Sequence, residues 1–225
     1  MPTSLVASVV FLRIQDFARR PASEQARLRA QLEAVVAVTA AELEPESRIV
    51  LEAADGAVVV VLQDPRGALH LAQRALAAAA AGLPLCAGVN HGTMQLAGRK
   101  GGEGMTGDGI AVAASVAEFA APARLFASRS FRDALADAAP GVEVSLAAAG
   151  TFTDPGLRTH ELFSPDHEAA VRRGRRYAAA GLALVIALVG AGVAARVSVD
   201  GQQPFVNAVL DKYPYFRELV RKVND

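Results

Sequence analysis

The stretch RIVLEAADGAVVVVLQ, Arg48 to Gln63, decides how this chain folds. Two apolar runs rich in β-branched residues, 48–54 and 57–63, flank Asp55-Gly56. A two-residue Asp-Gly link between such runs is a strong hairpin signal. Upstream, Leu5 to Ile14 is a further apolar strand. Between the two, Pro21-Ala22-Ser23-Glu24 opens a helix expected to run to about Glu44. Downstream, Asp64-Pro65 starts a helix over 66–81 that stops near Gly82, and Leu85 to Asn90 returns as a strand. The order strand, helix, hairpin, helix, strand predicts an α+β, ferredoxin-like sandwich, an antiparallel-rich sheet with helices on one face. Gly98 to Gly109 must be a loop or hairpin. Beyond it a helix is expected over 110–119, a strand over 124–128, a short helix over 130–138 and closing strands over 142–148 and 159–163.

The chain has 225 residues, 52% of them hydrophobic, and a formal net charge of zero. Such a length suits one compact domain with an appendage. The balanced charge argues against nucleic acid as a partner, which usually shows as a basic excess or stripe. Cys86 is the single cysteine, so neither a disulfide framework nor a zinc set is available within one chain. Its apolar neighbours give it the part of a small core hydrophobe. The N-terminal run lacks a basic n-region and a cleavage site and reads as a strand, not a signal peptide.

Composition changes abruptly after residue 165. Arg172-Arg173-Gly174-Arg175-Arg176 is a dense positive cluster, and the next stretch, YAAAGLALVIALVGAGVAA from Tyr177, carries no charge. About 19 residues of helix span roughly 28 Å, close to the hydrocarbon thickness of a bilayer. The arginines place the N-terminal side in the cytoplasm by the positive-inside rule. The expected organisation is therefore a cytoplasmic domain over 1–165, a basic juxtamembrane linker over 166–176, a transmembrane helix over 177–196 and an exported tail over 197–225. That amounts to a single-pass protein of a bacterial inner membrane. Gly181, Gly190 and Gly192 suit close helix–helix packing, and the amphipathic run 215–223 suits a periplasmic protein partner or the bilayer surface.

Several segments of the N-terminal domain resemble the class III adenylate/guanylate cyclase family over about Leu5 to Phe163. Val9-Val10-Phe11-Leu12-Arg13-Ile14-Gln15-Asp16-Phe17 is similar to the family's first strand, which leads into a metal-binding Asp. Ala54-Asp55-Gly56 with Ala57-Val58-Val59-Val60 looks like the hairpin that presents a second metal-binding Asp. Ala87-Gly88-Val89-Asn90-His91-Gly92-Thr93 resembles the Gly-Ile-x-x-Gly strand end. Thr106-Gly107-Asp108-Gly109-Ile110-Ala111-Val112-Ala113-Ala114-Ser115 resembles the Gly-Asp-x-Val-Asn-x-Ala-Ala-Arg helix entry. Ala121-Pro122-Ala123-Arg124-Leu125-Phe126-Ala127-Ser128 fits the strand that follows.

The resemblance implies a reaction in which two metal ions activate a ribose hydroxyl and hold the phosphates while pyrophosphate leaves. It also implies which positions have lost that chemistry. Arg13 stands at the first metal-binding Asp, and a guanidinium cannot ligate a cation. Asp55 remains at the second, but one carboxylate falls short of what two divalent ions require. Its Asp-Gly setting also has a purely conformational use as a turn. Leu51 replaces a base-recognising Lys. Asp108 stands at or next to the adenine-side acid, although a residue there also serves an ordinary helix N-terminus. Ala111 and Ser115 replace the Asn and Arg that stabilise the transition state, and the late phosphate-clamping Lys has no clear counterpart in 151–156.

Losing one preorganised charge donor typically costs about 10²–10³ in rate. These losses imply a catalytically degenerate, membrane-anchored homodimer that acts as a sensor or partner-binding module. Arg13, Asp55 and Asp108 remain as candidate nucleotide contacts, and no cofactor is expected. The alternative is an active divergent cyclase, a phosphorus–oxygen lyase. It would need Mg or Mn and substitute ligands such as Asp16 or Glu52, or a complete partner. A further expectation concerns this chain alone: the Arg13 guanidinium takes the vacated metal position and pairs with Asp55.

Overall fold

A computed structural model describes residues 3–79, 82–99, 102–165 and Lys212. The stretches expected to form a basic linker and a membrane-spanning helix, and all of the expected exported tail but Lys212, lie outside the described residues. Among the described residues no helix is long and apolar enough to cross a membrane.

The first half follows the expected order. Strand β1 (Thr3–Ile14) is followed by α1 (Ala22–Ala40), the hairpin β2 (Arg48–Ala53) and β3 (Gly56–Val61), α2 (Pro65–Ala78) and β4 (Leu85–Arg99). Then come β5 (Gly102–Thr106), α3 (Asp108–Glu118), β6 (Leu125–Ser128), α4 (Arg129–Ala138), β7 (Leu146–Thr153) and β8 (Thr159–Pro165). The strands form one sheet in the order β2-β3-β1-β4-β6-β8-β7, with β5 paired to β4 off that path. Its first four strands give the expected βαββαβ arrangement. Every pairing is antiparallel except that of β4 with β6.

Alternation along β1 sorts the core into two layers. Val10, Leu12 and Ile14 face Leu28, Leu32 and Val36 of α1, Leu71 and Ala75 of α2, and Phe131 and Leu135 of α4. Ala7, Val9 and Phe11 face the other way, onto Val58, Val60, Met94 and the α3 residues Ala113 and Ala117. Helices therefore cover both faces, three on one and α3 on the other, where the sequence led us to expect a single covered face. The alanine-rich α3 carries little apolar bulk to mark which side it buries.

Gly88 fixes that second layer. It lies on β4 under α3, and a Cβ there would sit 2.3 Å from both the Ala113 carbonyl oxygen and the Ala117 nitrogen. Only a residue without a side chain allows helix and strand to come so close.

Other differences are local. Helix α1 stops at Ala40, and a short 3₁₀ turn over Pro45–Ser47 leads into β2. Strand β4 runs to Arg99, well past Asn90, because its outer half pairs with β1 from Thr3 to Ser8. His91 is thus a half-buried strand residue that shares a 3.0 Å hydrogen bond with Ser8. Strand β7 starts at Leu146, after a 3₁₀ turn over Glu143–Ser145.

The hairpin turn also differs in detail. Ala53 pairs with Gly56, so the two turn residues are Ala54 and Asp55. Gly56 has no left-handed backbone to serve. Its missing side chain instead makes room for the Leu12 carbonyl oxygen, which would lie 2.0 Å from a Cβ.

Candidate functional site

Parity places Arg13 on the same sheet face as Phe11 and Val9, the face that carries α3. The hairpin brings Asp55 beside it: the Ile14 N–H donates to the Asp55 carbonyl at 2.8 Å. The Arg13 Nε donates to Asp55 Oδ2 at 2.6 Å, so the expected pairing is present. Both side chains are about 30% exposed (29% and 30%). Arg13 Nη1 also lies 3.7 Å from Glu118 Oε1, at the C-terminal end of α3. From the other side, Arg29 of α1 steadies the hairpin tip. It donates to the Ala54 carbonyl at 2.8 Å while its guanidinium sits 5.2 Å above the Phe17 ring.

These groups line a cleft of about 330 Å³ that also includes Gln15, Asp16, Arg19 and Cys86. Two arginines and three carboxylates face it. Cys86 is buried at its floor, with Sγ 3.5 Å from the carbonyl oxygens of Arg13 and Ala117. Burial pushes its thiol up to about 11, against the opposing pull of Arg13. It is therefore an inert thiol at neutral pH.

A pair of divalent ions does not fit this cleft. One of the two Asp55 oxygens, Oδ2, already accepts from Arg13, and that fixed positive charge stands where a cation would have to approach. Asp16, at the left-handed position before a 3₁₀ turn, lines the cleft but pairs with Arg19 at 3.5 Å. Glu52 lies elsewhere, in a groove between β2 and α1 with Arg29 and Glu33. Among the described residues no three of His, Cys, Asp and Glu gather around a point where one cation could sit.

The remaining sequence-selected residues are not brought to this cleft. Leu51 is half-buried on β2 and packs against the apolar layer under α3. Asp108 is exposed in the first turn of α3. Its end of the helix is about 15 Å from Glu118 at 1.5 Å rise per residue. Asp108 opens onto a second, polar cavity of about 350 Å³ with His91, Ser130, Arg129 and His160. Asn90 is buried beneath this cavity, accepting from Ser128 Oγ (2.6 Å) and Ser130 Oγ (2.8 Å) and donating to the Gly109 carbonyl (3.1 Å). It ties β4, α3 and the start of α4 together.

Ala111 is exposed on α3. Ser115 Oγ lies 3.5 Å from Asp154 Oδ2, at the turn between β7 and β8. Asp154 is 3% exposed. It accepts from the Arg158 N–H (2.9 Å) and Arg158 Nε (2.8 Å), and its Oδ2 lies 3.1 Å from His160 Nε2. The hydrogen bond from His160, then those from Arg158, hold its carboxyl well below the ordinary range, against the opposing effect of burial. Sequence reasoning missed Asp154, Arg158, His160 and Glu118. The first three meet only because the hairpin closes, and Glu118 only because Gly88 seats α3.

A depressed carboxyl stabilises the fold above its ordinary pKa of 3.8, and that contribution is lost as pH falls toward the folded value. Thermal melting should therefore drop on acidification below about pH 4, and Asp154→Asn should melt lower at pH 7 but show a shallower acid limb. Equal acid limbs in the two proteins would remove Asp154 from the account.

The fold defined by these elements is that of the class III nucleotidyl cyclase catalytic domain. No family model and no curated protein sequence matches the chain; the likeness is structural. The catalytic core of a rhodopsin-guanylyl cyclase with converted specificity, in complex with ATPalphaS, superposes with a TM-score of 0.56 at 12% identity. That match covers 74% of this chain and 98% of the other. The adenylyl cyclase CyaB from P. aeruginosa gives 0.55 at 13% identity over 74% and 96%. The dimeric guanylyl cyclase domain of the RhoGC fusion protein from Blastocladiella emersonii gives 0.53 at 13% over 72% and 97%.

Proposed function

We propose that this protein is a catalytically degenerate nucleotidyl cyclase homology protein, a membrane-anchored dimer that works as a sensor or partner-binding module. The observation that carries the reading is the 2.6 Å ion pair between Arg13 and Asp55. Two-metal catalysis needs carboxylates that converge on cations, and here one of the two positions supplies the positive charge itself. Ala111 and Ser115 add to the case: neither side chain carries a charge with which to stabilise a phosphorane-like transition state.

Self-association is part of this proposal. The Arg13–Asp55 cleft and Asp108 sit at opposite ends of α3 and open onto different cavities of the chain. The dimeric guanylyl cyclase domain among the similar structures is consistent with self-association. The arginine cluster before the apolar run 177–195 supports an anchor in the inner membrane, with this domain on the cytoplasmic side.

The reading is tested by incubating purified protein with ATP or GTP and Mn²⁺. No cyclic nucleotide is expected, and product abolished by Asp55→Ala would favour the working divergent cyclase instead.

A further inference from the structure

We infer that Arg13 serves as a built-in cation. It ties the end of β1, the β2–β3 hairpin and the C-terminal end of α3 into a unit that neither needs nor accepts a divalent ion. The inference rests on reading the cleft as cyclase-like, and it says what the lost metal position has become.

Three observations carry it. The first is contact: Nε reaches Asp55 at 2.6 Å and Nη1 approaches Glu118 at 3.7 Å, so one guanidinium bridges two carboxylates from separate elements. A planar fork with five N–H donors suits that bridging, whereas a lysine offers a single point charge.

Charge is the second. Among the cleft residues Arg13 and Arg19 face Asp16, Asp55 and Glu118. Each carboxylate already has an arginine within 4 Å, Asp16 through Arg19 and the other two through Arg13. Two arginines against three carboxylates leave one net negative charge, which repels a phosphate, and a metal ion would have to displace an arginine from any carboxylate it took.

Placement is the third. The hairpin tip is held by the Ile14 N–H on Asp55 and by Arg29 on Ala54, but neither of these reaches α3. Arg13 supplies that third attachment through Glu118. A side chain is then a permanent occupant where a metal would have been an exchangeable one. The hairpin and α3 stay in register whatever the supply of metal or nucleotide.

Thermal melting of the full-length protein in mild detergent tests this, with EDTA, with millimolar Mn²⁺, and with EDTA plus inorganic phosphate. The wild type should melt at the same temperature in all three. Arg13→Asp places a second carboxylate directly beside Asp55. It should melt several degrees lower in EDTA and recover in Mn²⁺, the recovery disappearing with added Asp55→Ala. The charge-swapped double variant, Arg13→Asp with Asp55→Arg, should approach wild-type melting in EDTA and ignore Mn²⁺.

If Arg13→Asp does not fold, the swapped variant decides: melting near the wild type supports the inference, and failure to recover overturns it. Stabilisation of the wild type by Mn²⁺ that Asp55→Ala removes would overturn it. So would stabilisation by phosphate that Arg13→Ala removes, since Arg13 would then be a ligand anchor. An Arg13→Asp variant that folds without responding to Mn²⁺ sinks this inference while the proposed function stands. Cyclic-nucleotide synthesis by the wild type sinks the proposed function.

Discussion

Gly88→Val should detach α3 from the sheet. The new Cβ would fall 2.3 Å from the Ala113 carbonyl and the Ala117 nitrogen. Both are backbone atoms of a regular helix, so no flexible side chain can swing away. Overpacking in a well-filled core costs about 1–3 kcal/mol, occasionally more, and a rigid backbone clash belongs at the upper end. For a domain of this size about 3 kcal/mol corresponds to a fall in melting temperature of roughly 10 °C. Gly88→Ala should cost less but in the same direction. Differential scanning fluorimetry reads both. A Gly88→Val protein that melts with the wild type would mean that α3 does not sit on β4 as described. Because Glu118 rides on the same helix, the variant should also weaken the Arg13 bridge.

Asn90→Ala is the second large effect. Asn90 is 3% exposed, and its amide satisfies the Gly109 carbonyl and the hydroxyls of Ser128 and Ser130. Removing it strands buried polar groups whose desolvation costs about 1–3 kcal/mol each. Ser130 is exposed and can turn to solvent, whereas the buried Ser128 hydroxyl keeps only Ser130 Oγ at 3.0 Å and its cap on the Phe131 N–H at 3.1 Å. A loss of about 1–3 kcal/mol is expected, measured as a shift in urea midpoint at unchanged slope. Asn90→Asp should recover part of it, because a carboxylate still accepts from both serines. A variant within a few tenths of a kcal/mol of the wild type would place Asn90 outside the load path between β4, α3 and α4.

Much of this arrangement was legible in the amino-acid order. The alternation of β1 puts Arg13 opposite the Val10, Leu12 and Ile14 face, and the apolar runs around Asp55 define the hairpin. Arg13 and Asp55 could be paired only through the cyclase resemblance, which puts both at the positions that share metal ions in that family. The role of Gly56 could not be read off, because Asp-Gly suggests a turn conformation whereas the glycine's use is the close approach of Leu12. Strand β7 was misplaced for a similar reason. After Leu146 nearly all of it is exposed, so no apolar alternation marks where it begins. Strand β4 was cut short because Gly92, Gly98 and the polar His91 and Gln95 interrupt its pattern, while β1 and β5 still pair with it. The Asp154 cluster depends on a turn that brings residues 154, 158 and 160 onto one carboxylate, and no periodicity predicts that.

Central to the proposed function is a loss of charge at the positions where the cyclase family does its chemistry. The most direct measurement is cyclic nucleotide formation by the full-length protein with ATP and with GTP at millimolar Mn²⁺, beside its Asp55→Ala variant. Absence of several electrostatic stabilisers predicts product at or below the background of the variant, at least about 10³-fold under an intact cyclase. Cyclic nucleotide formed by the wild type and lost in Asp55→Ala would contradict it, because Asp55 would then be holding a metal ion and not Arg13.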